Sequence, residues 1–262
     1  MLTLSVVSHQ QADLVSQLLA DIAAHVRMPL KVVLTVNVPE PAVRIPSGAR
    51  FALEVMDNSS AKGFGANHNA AFLRCHTPFF CILNPDVRLQ EDPFPRLVAT
   101  LQASPDIGLV APLIRDASGR IEATSRRFPT PSIILRKALL GPPAKADYAI
   151  GSGLVSPDWV GGMFMLVHST AFNAVGGFDQ RYFMYYEDVD LCARLRLAGY
   201  RIVLDPGVQA VHEARHDSHR RPRYLAWHLR SMLRFWLSPA YRRRRESLES
   251  NNPQWKNVNT PG

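Results

Sequence analysis

Cysteine is scarce in this chain, and the three present, Cys75, Cys81 and Cys192, form no C-x-x-C pair. An odd count without paired spacing suggests neither a disulfide framework nor a cysteine-rich zinc site, and it fits a reducing cytoplasm. No apolar run approaches the ~18 residues that a spanning helix needs. The opening MLTLSVVSHQ lacks a basic stretch followed by a long apolar one, so the sequence predicts neither an integral protein nor export by a standard signal. Internal repeats are missing too. With 47% hydrophobic and 20% charged residues over 262 positions, the expectation is one large α/β domain, alone or with an appendage, and not disorder.

Acidic residues are missing from one place in particular. Between Ser218 and Arg245 there are nine arginines and no Asp or Glu, so of the net charge of +8 the remainder of the chain carries −1. The basicity belongs to one segment, which points to an anionic surface met by the C-terminal part, membrane or nucleic acid.

What is present alternates. TLSVVS (3–8), KVVLTVNV (31–38), FALEVM (51–56) and FFCIL (79–83) read as strands. Between them lie a helix opened by Asp13 as N-cap, with apolar residues Leu14, Val15, Leu18, Leu19, Ile22 and Val26, and a helix around 67–75. Such alternation over the first ~110 residues predicts a doubly wound parallel sheet, with its site beyond the carboxyl ends of the strands. The stretch 112–160, rich in Pro, Gly and Ser, reads as hairpins and loops. WVGGMFMLVH (159–168) resumes an apolar pattern. A helix from about Glu187 to Ala198 should bury Leu191, Leu195 and Ala198, pair Asp190 with Arg194, and end at Gly199. A strand RIVLD (201–205) should stop at Pro206, and 246–262 reads as a flexible tail.

Three features can carry chemistry. Glu187, Asp188 and Asp190 follow the aromatic run Tyr182, Phe183, Tyr185 and Tyr186. The triplet either starts a helix or holds a carboxylate poised for proton abstraction. Asn84-Pro85-Asp86 ends a strand, as a plain turn or as a carboxylate shown to the crevice. In AKGFGANHNAAF (61–72) glycines and amides allow close backbone approach before a helix, which suits a phosphate or a sugar hydroxyl. A fourth, His212-Glu213-Ala214-Arg215-His216, matches H-E-x-x-H, but flanks without an apolar face weigh against a zinc helix. His212 acting singly fits better.

The order of GFGANHNAAF, FCILNPDV, GGMFMLV, GGFDQRYFMYYEDVDLCARLRLAGYRI and VHE resembles glycosyltransferase family 2, in particular its bacterial rhamnosyltransferase-like members, over roughly residues 3–235. The resemblance implies a GT-A fold, Rossmann-like with a mostly parallel central sheet and flanking helices. It implies a nucleoside-diphosphate sugar donor, Mg²⁺ or Mn²⁺, and inverting transfer to a lipid-linked saccharide in surface polysaccharide synthesis of the O-antigen or lipopolysaccharide type. Residue by residue, Asp188 matches the catalytic base, with Glu187 beside it to tune or position it. Asp86 matches the last acidic residue of the metal motif, and His212 a histidine near metal and diphosphate. Donor contacts fall on Ser8, Asn37, Gly63, Gly65, Asn67 and Asn84, and acceptor contacts on Trp159, Gly162 and Tyr186. Two departures stand out. Asn84 replaces the first acidic residue of D-x-D, and Asn37 stands near the usual base-binding Asp.

The expected organisation is a catalytic domain over 1–217, with a nucleotide-sugar part to about 110 and an acceptor part beyond, then a basic amphipathic segment over 218–245. In RPRYLAWHLRSMLRFWL (221–237), Leu225, Leu229, Met232, Leu233 and Trp236 share one helical face, opposite Arg223, Arg230 and Arg234. That pattern fits peripheral attachment to the anionic inner face of the cell membrane, or a helix packed on its own domain with a solvated arginine face. Nucleic-acid binding through the arginine-rich segment is one competing class, and no recognised nucleic-acid motif supports it; a protein that binds a nucleotide sugar without transferring it is the other.

Overall fold

The computed structural model describes residues 1–141, 146–213 and 222–243. The elements in chain order are β1 (Leu2–Ser8), α1 (Ala12–His25), β2 (Leu30–Val36), β3 (Ala52–Asp57), α2 (Phe64–Phe72), β4 (Phe79–Leu83) and β5 (Val87–Arg88). There follow α3 (Phe94–Gln102), β6 (Ile107–Asp116), β7 (Ser125–Arg126), α4 (Pro131–Leu140), β8 (Trp159–Val160) and β9 (Phe164–His168). The chain continues through α5 (Ser169–Ala174), α6 (Glu187–Leu197), β10 (Arg201–His212) and α7 (Pro222–Leu237).

Eight strands form one sheet in the order β3-β2-β1-β4-β9-β6-β10-β5, and β7 and β8 pair separately. Contacts β1–β2, β2–β3, β1–β4 and β6–β10 are parallel; β9 runs antiparallel to both β4 and β6, and β5 to β10. Six strands therefore point one way, and strands from before and after residue 110 interleave. The period-2 alternation of side chains gives the sheet two apolar faces. Phe79, Cys81 and Leu83 join the cluster that takes Val15, Leu18, Leu19 and Ile22 of α1, while Phe80 and Ile82 join the one that takes Leu191, Cys192 and Leu195 of α6.

Several local expectations are corrected. Asp13 does not cap α1: Gln11 holds the N-cap position, and Asp13 sits in the first turn, paired with Arg44 at 3.1 Å. Residues 131–140 form a helix where loops were expected, because Thr130 Oγ1 accepts from Ile133 N and Pro131 needs no donor at N1. Ala198 is exposed; the buried face of α6 adds Val189, Cys192 and Ala193 instead. The expected pair of Asp190 with Arg194 is there at 2.7 Å, and Gly199 closes the helix with φ +91. β10 does not stop at Pro206, because a register shift between Asp205 and Gln209 lets the proline pass without taking a bond from the ladder. That strand also rules out a zinc helix, since His212 is its last residue; Arg215 and His216, like Arg220, Arg221, Arg244, Arg245 and the tail 246–262, lie outside the described residues.

The glycines of the α2 segment serve the chain itself. Phe64 N donates to Phe183 O at 2.9 Å, and a Cβ on Gly63 would lie 2.7 Å from that same oxygen. Gly65 likewise faces Phe178, and Asn69 exchanges two hydrogen bonds with the Phe178 backbone, at 2.8 and 2.9 Å. The close approach read from the sequence is thus made by residues 178–183, the run that leads into Glu187 and Asp188.

Since Gly63 meets backbone, which cannot swing aside, Gly63→Ala should cost about 1–3 kcal/mol in urea unfolding. Gly153→Ala, with open space around it, is the matched control and should stay within about 0.5 kcal/mol. Equal stability of the two variants would refute this docking.

Candidate active site

The acidic triplet divides into three roles. Tyr185 and Tyr186 both adopt left-handed backbone, φ +69 and +66, which costs a bulky residue about 1–3 kcal/mol. Rings hold them there: His228 lies 5.4 Å from Tyr185 and 5.3 Å from Tyr186, and Phe235 lies 5.9 Å from Tyr186. The bend drops Glu187 and Asp188 into the first turn of α6. Asp190 is taken up by Arg194. Glu187 is buried with Oε2 unpartnered, and burial, then the charge of Asp188, push its pKa well above the usual carboxylate range. Asp188 Oδ2 accepts from Gly162 N at 3.0 Å and Oδ1 from Val189 N at 2.8 Å. Burial raises its pKa to about 6, against the pull of those two bonds and of Arg126. Neighbouring carboxyls so separated leave the proton on Glu187 and the charge on Asp188.

A second cluster sits where parallel strands end. Asp86 occupies the turn between β4 and β5, and His212 closes β10 beside it, with Nε2 3.4 Å from Asp86 Oδ2. The other ring nitrogen, Nδ1, meets Glu122 at 3.1 Å. Burial pulls the His212 pKa down, but the bonds and charges of Asp86 and Glu122 outweigh it, and the net shift is upward. Asp86 Oδ1 is buried with no partner. No group of three or more His, Cys, Asp or Glu side chains able to hold a metal ion occurs among the described residues, so Asp86 and His212 offer an open, two-ligand arrangement only. The clusters are joined through residues 162–163: Asn84 N donates to Met163 O at 2.8 Å while Gly162 N holds Asp188.

The remaining sequence-derived positions fall into two groups. Ser8, the last residue of β1, and Asn37, just past the end of β2, are buried, as is Asn67. Asn37 Oδ1 accepts from Asn58 Nδ2 at 2.9 Å and Lys62 N at 2.8 Å, its Nδ2 donates to Lys62 O at 3.0 Å, and Asn58 bridges on to Asn67 Oδ1 at 2.7 Å. This amide network fixes the crevice wall, and Asn58 and Lys62 went unread in the sequence. Glu122 did too; its signal is weak, a lone acid between Arg120 and Arg126. On the other side, a cavity of about 530 Å³ is lined by Asp188, Glu187, Tyr186, Trp159, Arg126 and Lys137, among others. Trp159 is held in its wall by a bond from Nε1 to Arg127 O at 2.9 Å. Gly162 stands behind Asp188, with its Cβ position 3.5 Å from the Asp188 Cβ.

The model of the family described as glycosyltransferase like family 2 matches residues 2–237. The chain belongs to this glycosyltransferase family. Among relatives of this family 2 member, rhamnosyltransferase WbbL of Escherichia coli (strain K12) is 33% identical over 187 residues, 66% of this chain and 69% of its own. The N-acetylglucosaminyl-diphospho-decaprenol L-rhamnosyltransferase of Mycobacterium tuberculosis (strain ATCC 25618 / H37Rv) is 29% identical over 246 residues, 86% of this chain and 80% of its own. Among solved structures, GalNAc-T7 with UDP, GalNAc and Mn²⁺ superposes with a TM-score of 0.61 at 11% identity, covering 83% of this chain and 44% of that one. Mannosyltransferase PcManGT from Pyrobaculum calidifontis, with GDP-Man and Mn²⁺, gives 0.58 at 16%, covering 96% and 75%. The fold is GT-A, as the sequence resemblance implied.

The Asp86–His212–Glu122 contacts predict that His212 titrates above an ordinary imidazole in NMR, and that Glu122→Gln brings it down. His68, pushed to about 3 by burial, should stay neutral in the same titration. A His212 titration unmoved by Glu122→Gln would break the cluster as described.

Proposed function

We propose that this family 2 glycosyltransferase moves a rhamnose-type sugar from a nucleoside-diphosphate donor to a hydroxyl of a lipid-linked saccharide, with inversion, in surface polysaccharide synthesis. One observation carries the reading: the Asp188 carboxyl, raised to about 6 and aimed by Gly162 N and Val189 N, lines the large cavity. It is ionised at neutral pH, yet basic enough to take a proton from a hydroxyl. As the acceptor oxygen bonds to the anomeric carbon, its proton passes to Asp188, and the bond from that carbon to the diphosphate oxygen breaks with its electron pair. A single displacement of this kind inverts the carbon. The relatives named as rhamnosyltransferases, one of them for an N-acetylglucosaminyl-diphospho-decaprenol, support the sugar and the acceptor class. Arg126, Arg127 and Lys137 on the cavity wall suit an anionic acceptor.

Asp86, with its unpartnered Oδ1, and His212 would hold Mg²⁺ or Mn²⁺. When bound, that cation supplies positive charge for the departing diphosphate. A two-ligand protein site suits a cation whose other positions go to phosphate oxygens and water. Asn84, uncharged where the D-x-D motif has its first acid, would stand on the donor side of this site, with its backbone N–H donating to Met163 O.

Attachment to the anionic inner face of the membrane completes the reading. No described helix is long and apolar enough to cross a bilayer. α7 packs on its own domain through Ser231, Met232 and Phe235, while Leu225, Leu229 and Leu233 stay exposed beside its arginines. Of the face read from the sequence, Met232 and Trp236 turn inward, with Trp236 Nε1 bonded to Pro129 O at 2.8 Å.

Asp188→Asn should lower transfer by at least ~10²-fold with donor binding nearly unchanged, since it removes a proton acceptor and little volume. Transfer within about tenfold of wild type would sink the base assignment. Asp86→Ala should erase the gain in nucleoside-diphosphate affinity that Mn²⁺ gives the wild type in calorimetry, and a gain that persists in the variant would remove Asp86 from that role.

A further inference from the structure

α4 is the element that sequence periodicity did not disclose, and its outer face is apolar. Leu135, Leu139 and Leu140 are 60%, 73% and 79% exposed, more than any residue of the core would tolerate. α7 presents Leu225, Leu229 and Leu233, 62%, 45% and 53% exposed. Isolated exposed leucines need no explanation, but a contiguous apolar surface on a soluble domain marks a contact site. The two helices adjoin: Trp236 of α7 bonds to Pro129 O just before α4, and Phe235 stacks on Phe128 with ring centres 6.1 Å apart. Between them opens the cavity of Asp188, to which α4 contributes Ile133, Ile134 and Lys137 and α7 contributes His228.

We propose that α4 is a second membrane-docking helix, which together with α7 seats the mouth of the acceptor cavity on an anionic phospholipid bilayer. The charges select this occupant. Neither helix carries an Asp or Glu, while α4 has Arg136 and Lys137 and α7 has Arg223, Arg230 and Arg234. Leucines interleaved with cations, without acids, are the composition of a helix lying in an anionic lipid interface. A second copy of the chain would set these cations against one another in any two-fold contact. The placement deepens the reading of a lipid-linked acceptor and rests on it. With the rim in the headgroup layer, the acceptor lipid stays in the bilayer while its diphosphate lies level with Arg126, Arg127 and Lys137 and its sugar reaches toward Asp188.

The test leaves every cation in place. Leu135, Leu139 and Leu140 changed together to Ser are exposed positions outside the cavity lining, so circular dichroism and Tm should match wild type. Binding to vesicles of phosphatidylethanolamine and phosphatidylglycerol should weaken at least about tenfold. Transfer to a long-chain acceptor embedded in those vesicles should fall with it, and transfer to a short-chain soluble acceptor should not. Vesicle binding unchanged in the triple variant overturns the role of α4. So does wild-type protein that self-associates in sedimentation while the variant is monomeric, because the face then serves a second copy. Wild-type protein that transfers sugar to a soluble acceptor yet ignores vesicles overturns the docking and leaves the proposed transfer standing. The reverse result, α4-dependent vesicle binding with no transfer to any acceptor, supports the docking and counts against the transfer.

Discussion

The withdrawal of water from two adjacent carboxyls is the constraint around which this molecule is arranged. A carboxylate in bulk water is a weak base, and one buried without compensation simply takes up a proton. Here the two outcomes are assigned to neighbours: Glu187, buried with Oε2 unpartnered, keeps its proton, while Asp188 is left with two backbone donors and the field of Arg126. The arrangement opposes folding, and it persists because the surroundings over-determine it. Two tyrosines in left-handed backbone, the His228 and Phe235 rings against them, and the lock between Phe183 and the start of α2 all fix the same turn. Strain in such a position is tolerated where function needs it.

The sheet places the Asp86 cluster, and residues 162–163 link that cluster to the turn. Six co-directional strands bring Ser8, Asn37, Asn84, Asp86 and His212 to one end, the place where open α/β sheets bind ligands. β9 enters against the grain, and the residues leading into it, 162–163, touch both clusters. A single short run thus couples the side of the proposed base to the side of the proposed metal. Displacement of Gly162 would be felt at Asp188 directly, because that backbone N–H is one of the two donors holding the carboxylate.

Most of the frame was legible because buried strands and amphipathic helices announce themselves by period. α1, β1, β2, β4 and α6 fall within a residue or two of their expected bounds. The strongest local signals, Asn-Pro-Asp and the acidic triplet after aromatics, lead to positions lining the crevice and the cavity. What stayed hidden depends on tertiary partners. Gly63 and Gly65 were legible as sites of close approach, but not that a neighbouring loop, Phe178–Phe183, makes the approach. Glu122 has no motif, and it reaches His212 because the chain folds back after Asp116, bridging Ile121 to Arg115, while β6 runs beside β10. α4 was missed because its apolar residues face outward and so lack the one-sided pattern of a core helix, while the proline and glycine around it suggested loops. In α7 a helical face was read correctly as apolar but assigned wholly to one surface, where Met232 and Trp236 in fact turn to the domain.

The central claim is that burial has tuned Asp188 into the base of the transfer. The pH dependence of kcat/KM tests it most directly. A carboxylate raised to about 6 must be ionised to accept a proton, so activity is present above that value and lost as pH falls through it, about tenfold per unit below. With donor and cation saturating and kcat/KM taken for the acceptor, which keeps the titration of His212 out of the profile, the account predicts one inflection near 6 on the acid limb. A profile that stays flat to an ordinary carboxylate value near 4 would contradict it.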